Sequence, residues 1–201
     1  METALLIFVF LMTVVVHEVS HGLAAYALGD STAKEAGRLT LNPFRHISWM
    51  WTIILPAVLF LATQGRFAIG MAKPVPVNFN RLRNPRRDMV WVALAGPFSN
   101  IILAVLLTVL WKHWANDFWL YWIYLNLGLA IFNLIPIPPL DGSRVVASFL
   151  PQAWISRLFQ FERFGFIIIG LLYFSGILLW LVVPLIQILA HWLGLPAIEF
   201  Q

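Results

Sequence analysis

The stretch "TALLIFVFLMTVVVHEVSHGLAAYAL", residues 3–28, is apolar over most of its length and long enough to cross a membrane as one helix. Its exceptions include two histidines and a glutamate, which fall together at residues 17, 18 and 21. An ionisable group at the centre of a membrane helix costs about 2.5–3.5 kcal/mol on insertion scales. Three such groups within five residues therefore indicate a function rather than a packing role.

The rest of the chain has the same membrane character. Of its 201 residues, 61% are hydrophobic and only 11% are charged, against about 25% charged in soluble domains. A charge-free run of about 20 residues matches the hydrocarbon core of a bilayer, which is about 30 Å thick. Such runs occupy residues 47–65, 89–111, 118–140 and 164–198. The chain is therefore predicted to be an integral membrane protein with little soluble mass.

Charge and cysteine content exclude several classes of protein. The net charge is +4, but the cations flank apolar runs, which is typical of membrane topology signals and not of nucleic-acid binding. The absence of cysteine excludes disulfides and thiolate metal sites. Residues 1–28 carry no Lys or Arg ahead of the apolar region, so we expect a membrane helix there and not a cleaved signal peptide.

The apolar runs predict an all-α polytopic membrane protein, a helical bundle of about four to six membrane segments. We expect one membrane-embedded domain over residues 1–201, with a core at about 3–150 and a C-terminal membrane segment at about 164–193. Pro184 lies inside that last segment, which forms either one kinked span or two short ones.

The connections between the apolar runs also carry predictions. Residues 47–64 contain Pro56 and either span the membrane or re-enter on the same side. Residues 36–43, "AGRLTLNP", alternate like a short strand, and "KPVPV" at 73–77 is extended by its prolines. These two strand-like loops either offer a backbone edge to a substrate or serve as ordinary connectors.

The distribution of Lys and Arg predicts the orientation. If residues 47–64 re-enter, residues 29–88 and 136–163 share one side, and only Lys112 among the cations lies on the other. The positive-inside rule favours this arrangement and places the basic loops in the cytoplasm.

The spacing of the polar residues at 17–21 is that of a metal site. His17 and His21 are four residues apart, so on a helix they lie on one face one turn apart, where two imidazoles can bind one zinc ion. Glu18 is turned about 100° from His17 and can reach a metal-bound water without being a ligand. This is the metalloprotease arrangement of two histidine ligands and a general-base glutamate. The alternative is a polar patch that packs against other helices.

Catalytic zinc has three protein ligands and an open position for water. Asp141 is the best candidate for the third ligand, because it follows a proline-broken helix in "PIPPLDG", where irregular backbone can line a cavity within the membrane. Asp141 can also serve as the N-terminal cap of the next helix. His46, His113 and His191 are lone residues near segment ends and are poorer candidates.

Four motifs taken together resemble a known family. They are "HEVSH", "AKPVPVN", "ALAGPFSN" and "NLIPIPPLDGSR", which occur in the family's order over roughly residues 10–150. With them the chain is similar to the site-2 protease family of intramembrane zinc metalloproteases, in particular to small members without PDZ or CBS modules.

The resemblance implies one Zn²⁺ per chain, bound by His17, His21 and Asp141, with Glu18 as general base on the zinc-bound water. Asn133 matches an asparagine of the family near the active site, where it would stabilise the oxyanion; its alternative role is to satisfy backbone groups freed by Pro136.

The activity implied is hydrolysis of peptide bonds within or next to transmembrane helices of membrane-protein substrates, in a prokaryotic cell membrane. The other hypothesis is a non-catalytic membrane protein that binds metal or helices and does not need Glu18 as a base. Neither hypothesis involves nucleic acid, and the sequence specifies no oligomeric state.

Overall fold

The computed structural model describes residues 3–64 and 72–197, and the regular structure in these ranges is entirely helical. This confirms the all-α prediction. The chain forms two compact units, residues 1–82 and 83–201. The helices of the first are α1 (Thr3–Ala27), α2 (Thr32–Glu35) and α3 (Leu55–Ala62). Those of the second are α4 (Pro85–Trp114), α5 (Asp117–Asn133), α6 (Asp141–Phe149), α7 (Gln152–Gln160), α8 (Glu162–Phe174) and α9 (Ile177–Trp192).

In the first unit, α1 packs against α2 and against a 3-10 turn at Pro43–His46. The side chain of Asp30 joins the connections around the end of α1. One of its carboxylate oxygens accepts hydrogen bonds from the backbone N–H and the hydroxyl of Thr32, and the other accepts the N–H of Asn78 at 2.6 Å. Burial raises the pKa of Asp30, but these hydrogen bonds outweigh it, so the pKa lies below its usual value.

Residues 47–64 contain a π-helical turn, Trp49–Ile54, that continues directly into α3. Together they extend over residues 49–62, at most about 21 Å along the axis, against a hydrocarbon core of about 30 Å. The helix type changes next to Pro56, which occupies the first turn of α3. Re-entry of this segment stays a prediction.

The prediction of strand-like loops was wrong for the described residues, which contain no strand. Residues 36–43 run from the end of α2 through turn and bend into the 3-10 turn, and residues 72–78 are irregular. Pro74 and Pro76 have no N–H to donate to a strand ladder. The side chain of Arg38 joins the two segments instead, by donating to the carbonyl of Lys73 at 2.6 Å. A backbone hydrogen bond from Lys73 N to His46 O at 2.7 Å ties residues 72–78 to the 3-10 turn.

In the second unit, α5 packs against α4 and α9, and α6 packs against α4. Within the resulting core, Asn100 of α4 donates from its amide to Asn126 of α5 at 2.8 Å. Both side chains are fully buried, and such a bond is needed because an unpaired amide in an apolar interior is costly. The bond therefore ties α4 to α5 inside the core.

Within the described residues, two helices are long and apolar enough to cross a membrane, Leu5–Ala27 and Pro85–Trp114. A third span results if α8 and α9 count as one, because together they pass the same test although they bend by 78°. The bend lies at Gly176, which has a φ of +78°, whereas Pro184 sits inside the continuous helix α9. Glycine adopts this left-handed conformation without steric cost, which explains why the break is there.

Candidate metal centre

His17 and His21 lie on the first membrane-spanning helix, α1, with their rings turned toward each other. Their Nε2 atoms are 3.0 Å apart, and the ring planes meet nearly edge-on, at 84°. Both side chains are buried, with exposed fractions of 4% and 8%. Nitrogens this close share either one proton or one metal ion.

The pair fits a zinc ion. Two nitrogens bound to one tetrahedral zinc at about 2.0–2.1 Å are about 3.3–3.4 Å apart, close to the 3.0 Å between Nε2 of His17 and Nε2 of His21. Imidazole nitrogen is also a preferred zinc donor, and the chain has no thiolate that would compete.

Glu18 is held beside the two histidines by the irregular segment 72–78. Its Oε2 accepts a hydrogen bond from the backbone N–H of Val75 at 2.8 Å. Its Oε1 has no hydrogen-bond partner among the described residues. The carboxylate is therefore oriented through one of its two oxygens.

Arg38 holds the segment that carries Val75, and sequence reasoning did not identify it. Its Nη2 donates to the carbonyl oxygens of Lys73 at 2.6 Å and Pro74 at 3.3 Å. The side chain is only 6% exposed, and its Nε has no hydrogen-bond partner. Burial lowers the pKa of Arg38, and the negative charge of Glu18 opposes that shift. The available signal was a lone arginine inside the alternating stretch "GRLTLN".

Gly22 explains how these segments come so close to α1. A Cβ at Gly22 would lie 2.6 Å from a methyl group of Leu39 and 2.8 Å from one of Val75. Only glycine permits this approach without displacing its neighbours. Ser20, also inside the motif, donates to the carbonyl of Val16 at 2.7 Å and so bonds its own helix.

Asp141 is the first residue of α6, after a proline-rich connection that ends α5. Its side chain is half-buried, and Gly142 beside it is packed against backbone, since a Cβ there would lie 2.1 Å from the carbonyl oxygen of Leu134. Asn133 is the last residue of α5 and donates its amide to the carbonyl of Leu129 at 3.0 Å. The roles of Asp141 as third ligand and of Asn133 at the oxyanion stay predictions.

Comparison with known proteins gives a consistent result. The model of "Peptidase family M50" matches residues 5–116 and 109–179. "Putative zinc metalloprotease YwhC" of Bacillus subtilis is 37% identical over 182 residues, which cover 84% of this chain and 79% of that protein. "Putative zinc metalloprotease Rip2" of Mycobacterium tuberculosis strain H37Rv is 30% identical over 192 residues, 86% of this chain and 70% of that protein. No solved structure matches the chain.

Proposed function

Because the chain belongs to peptidase family M50 and is a zinc metalloprotease, we propose that it hydrolyses peptide bonds within or next to transmembrane helices of other membrane proteins. The observation that carries the proposal is the position of the motif. His17, Glu18 and His21 all lie inside α1, a helix that is long and apolar enough to span the membrane. A peptide bond brought to these residues would therefore be cleaved at membrane depth.

The cofactor is Zn²⁺, as the membership in this family implies. We assign His17 and His21 as two of its protein ligands on the basis of their buried, converging nitrogens, and Asp141 as the third. The support for Asp141 is chemical: carboxylate oxygen completes the set of three ligands that catalytic zinc requires, and Gly142 leaves no side chain beside it. When bound, zinc supplies a Lewis acid that polarises the scissile carbonyl and lowers the pKa of water toward about 7.

Glu18 is the general base in this proposal. Its Oε1 would accept a proton from the attacking water and later release it to the leaving amine. The hydrogen bond from Val75 N to Oε2 keeps the carboxylate in one orientation during both transfers. This fixed position matters because a displacement of a catalytic group by about 1 Å can lower the rate about 100-fold.

Two further residues have assigned roles. Arg38 is a positioning residue, since it holds the Lys73 and Pro74 carbonyls and thereby the adjacent N–H of Val75. Asn133 is proposed to donate from its amide to the oxyanion, which requires it to leave the carbonyl of Leu129 when substrate is bound.

The protein is an integral membrane protein of a prokaryote. We propose that its basic loops face the cytoplasm, as the positive-inside rule requires, and that the whole chain acts as one protease domain. Water would then enter, and the cleaved substrate would leave, on the cytoplasmic side, where the connection 72–78 lies in this orientation.

The test is cleavage of a membrane-protein substrate by purified protein in proteoliposomes, with Glu18→Gln as the decisive variant. The amide oxygen of glutamine still accepts the N–H of Val75, so the fold and the zinc content should stay unchanged, whereas the side chain no longer takes a proton. We expect the cleavage rate to fall by about 100-fold to 10,000-fold. Glu35→Gln is the matched control, because Glu35 is an exposed glutamate paired only with surface residues. Equal cleavage by Glu18→Gln and Glu35→Gln would contradict a base role for Glu18.

A further inference from the structure

A groove of about 410 Å³ lies in the second unit, where the N-terminal end of α4 meets the C-terminal end of α6. Its volume is within the range of small-molecule sites, about 300–1,000 Å³. The residues described as lining it combine two guanidinium groups with apolar side chains: Arg86, Arg87, Val90, Trp91, Ser148 and Phe149. The catalytic assignments do not involve any of them.

One end of the groove is positively charged. Arg86 and Arg87 are both exposed, in the first turn of α4. Arg86 donates through Nη2 to the backbone carbonyl of Leu150, which joins the start of α4 to the end of α6. Arg87 has neither an ion pair nor a hydrogen bond among the described residues. Asp88 does not line the groove: it is buried and accepts the N–H of Asn84 at 2.8 Å.

The groove also has an apolar and exposed lining. Val90 and Trp91 follow Arg86 and Arg87 at helical spacings of three to five residues, so the four side chains lie along one side of α4. Trp91 is 54% exposed and Phe149 on α6 is 80% exposed. From Arg87 to Trp91 the helix rises about 6 Å.

This order matches the boundary of a membrane. The charge-free run 89–111 begins directly after Asp88, so the arginines lie at the polar end of a spanning helix and Trp91 just inside its apolar part. Tryptophan is typical of this depth, where its ring contacts both headgroups and acyl chains. Basic sites between transmembrane helices on the cytoplasmic side bind anionic lipid headgroups.

We propose that this groove binds one anionic phospholipid, with its phosphodiester on Arg87 and Arg86 and the upper part of an acyl chain against Trp91 and Phe149. The guanidinium groups complement the charge of the phosphodiester, and along α4 they are followed by the exposed ring of Trp91, in the order in which a phospholipid presents headgroup and acyl chain. Bound there, the lipid would contact both α4 and α6 and so stabilise the packing of these two helices. None of the residues that line the groove has an assigned role in the zinc chemistry.

The test is lipid retention by the full-length, zinc-loaded protein in detergent micelles, read by native mass spectrometry during titration with dioleoyl phosphatidylglycerol or dioleoyl phosphatidylcholine. We expect one phosphatidylglycerol to be retained in preference to phosphatidylcholine. Arg87→Gln should weaken its retention about fivefold, because one Arg near an anionic lipid surface contributes about 1 kcal/mol. Phe149→Ser, at an exposed position, should weaken retention without changing the charge.

Arg157→Gln is the matched control. Arg157 is an exposed arginine on α7, lies over the ring of Trp154 and does not line the groove, so its loss should change retention less than twofold. Inorganic phosphate at the same concentration should not displace the lipid, since it lacks the acyl chain. Any of four results would overturn the proposal. They are equal retention of the two lipids, equal losses in Arg87→Gln and Arg157→Gln, displacement of the lipid by phosphate, and a doubled mass showing that a second copy occupies the groove.

Discussion

Replacement of Arg38 by methionine is expected to slow cleavage while leaving the zinc in place. Methionine keeps an apolar stem of similar length but removes the hydrogen bonds from Nη2 to the carbonyls of Lys73 and Pro74. A hydrogen bond from a charged group contributes about 1.5–3 kcal/mol, so the free energy of unfolding should fall by that amount. The larger effect is on rate, because the N–H of Val75 would no longer be fixed 2.8 Å from Glu18.

The expected loss in kcat is about 100-fold, the cost of a displacement of about 1 Å in a catalytic group. KM should change little, because Arg38 is buried and does not contact substrate in this account. Arg38→Lys should recover part of the rate, since an ammonium group can still donate to one of the two carbonyls. Arg45→Met is the control, because Arg45 is exposed in the same stretch of chain.

Three measurements test the role of Arg38. They are kcat and KM in proteoliposomes, the zinc content per chain by plasma mass spectrometry, and amide hydrogen exchange of the segment 72–78. We expect faster exchange at Val75 in Arg38→Met, with one zinc per chain retained. Wild-type kcat in Arg38→Met, or an equal loss of rate in Arg38→Met and Arg45→Met, would refute the assignment of Arg38 as a positioning residue.

Three further predictions follow from the structure. Asp30→Asn should lower the free energy of unfolding by about 1–3 kcal/mol at pH 7. Both carboxylate oxygens of Asp30 accept N–H groups, one from Thr32 and the other from Asn78, whereas an amide has only one oxygen that can accept. The pKa of Asp30 is lower in the folded protein than in the unfolded chain, where it is about 4. The stabilisation by Asp30 is therefore fully present above about pH 4 and is lost as the pH falls through the pKa of the folded protein. In urea unfolding, the wild type and Asp30→Asn should reach equal stability only in that acidic range. Gly142→Ala should abolish cleavage, because its Cβ would meet backbone at 2.1 Å next to Asp141, whereas Gly170→Ala, with open space around it, should be silent in the same assay. Removal of zinc by a chelator should stop cleavage, and added Zn²⁺ should restore it; activity that persists in fully metal-free protein would contradict a zinc mechanism.

Periodicity and the absence of charge predicted most of the helices. The apolar runs at 3–28 and 89–111 correspond to α1 and α4. Local rules suffice there because a membrane helix satisfies its own backbone hydrogen bonds, so its length and composition define it. The pair His17 and His21 was predictable for the same reason, since four residues on a helix place two rings on one face. Asp141 was a candidate N-terminal cap of the next helix, but it is the first residue of α6, and Leu140 occupies the cap position.

Features that depend on distant contacts were not predictable. The alternating stretch 36–43 has the pattern of a strand, but Pro74 and Pro76 in residues 72–78 have no N–H for a strand ladder, and the side chain of Arg38 makes the connection instead. The sequence left open whether the C-terminal segment is one kinked span or two short ones, and it did not indicate where a bend would lie. The bend lies at Gly176 and not at Pro184, because a proline inside a membrane helix can be accommodated, whereas a left-handed residue ends the helix.

The most direct test of the central claim is X-ray absorption spectroscopy at the zinc edge on the purified wild-type protein and on Asp141→Ala. We expect one zinc per chain, with two histidine nitrogens at about 2.0–2.1 Å and a carboxylate oxygen at about 2.0–2.2 Å that disappears in Asp141→Ala. A wild-type protein that cleaves its substrate without zinc, or a zinc spectrum unchanged by Asp141→Ala, would contradict that claim.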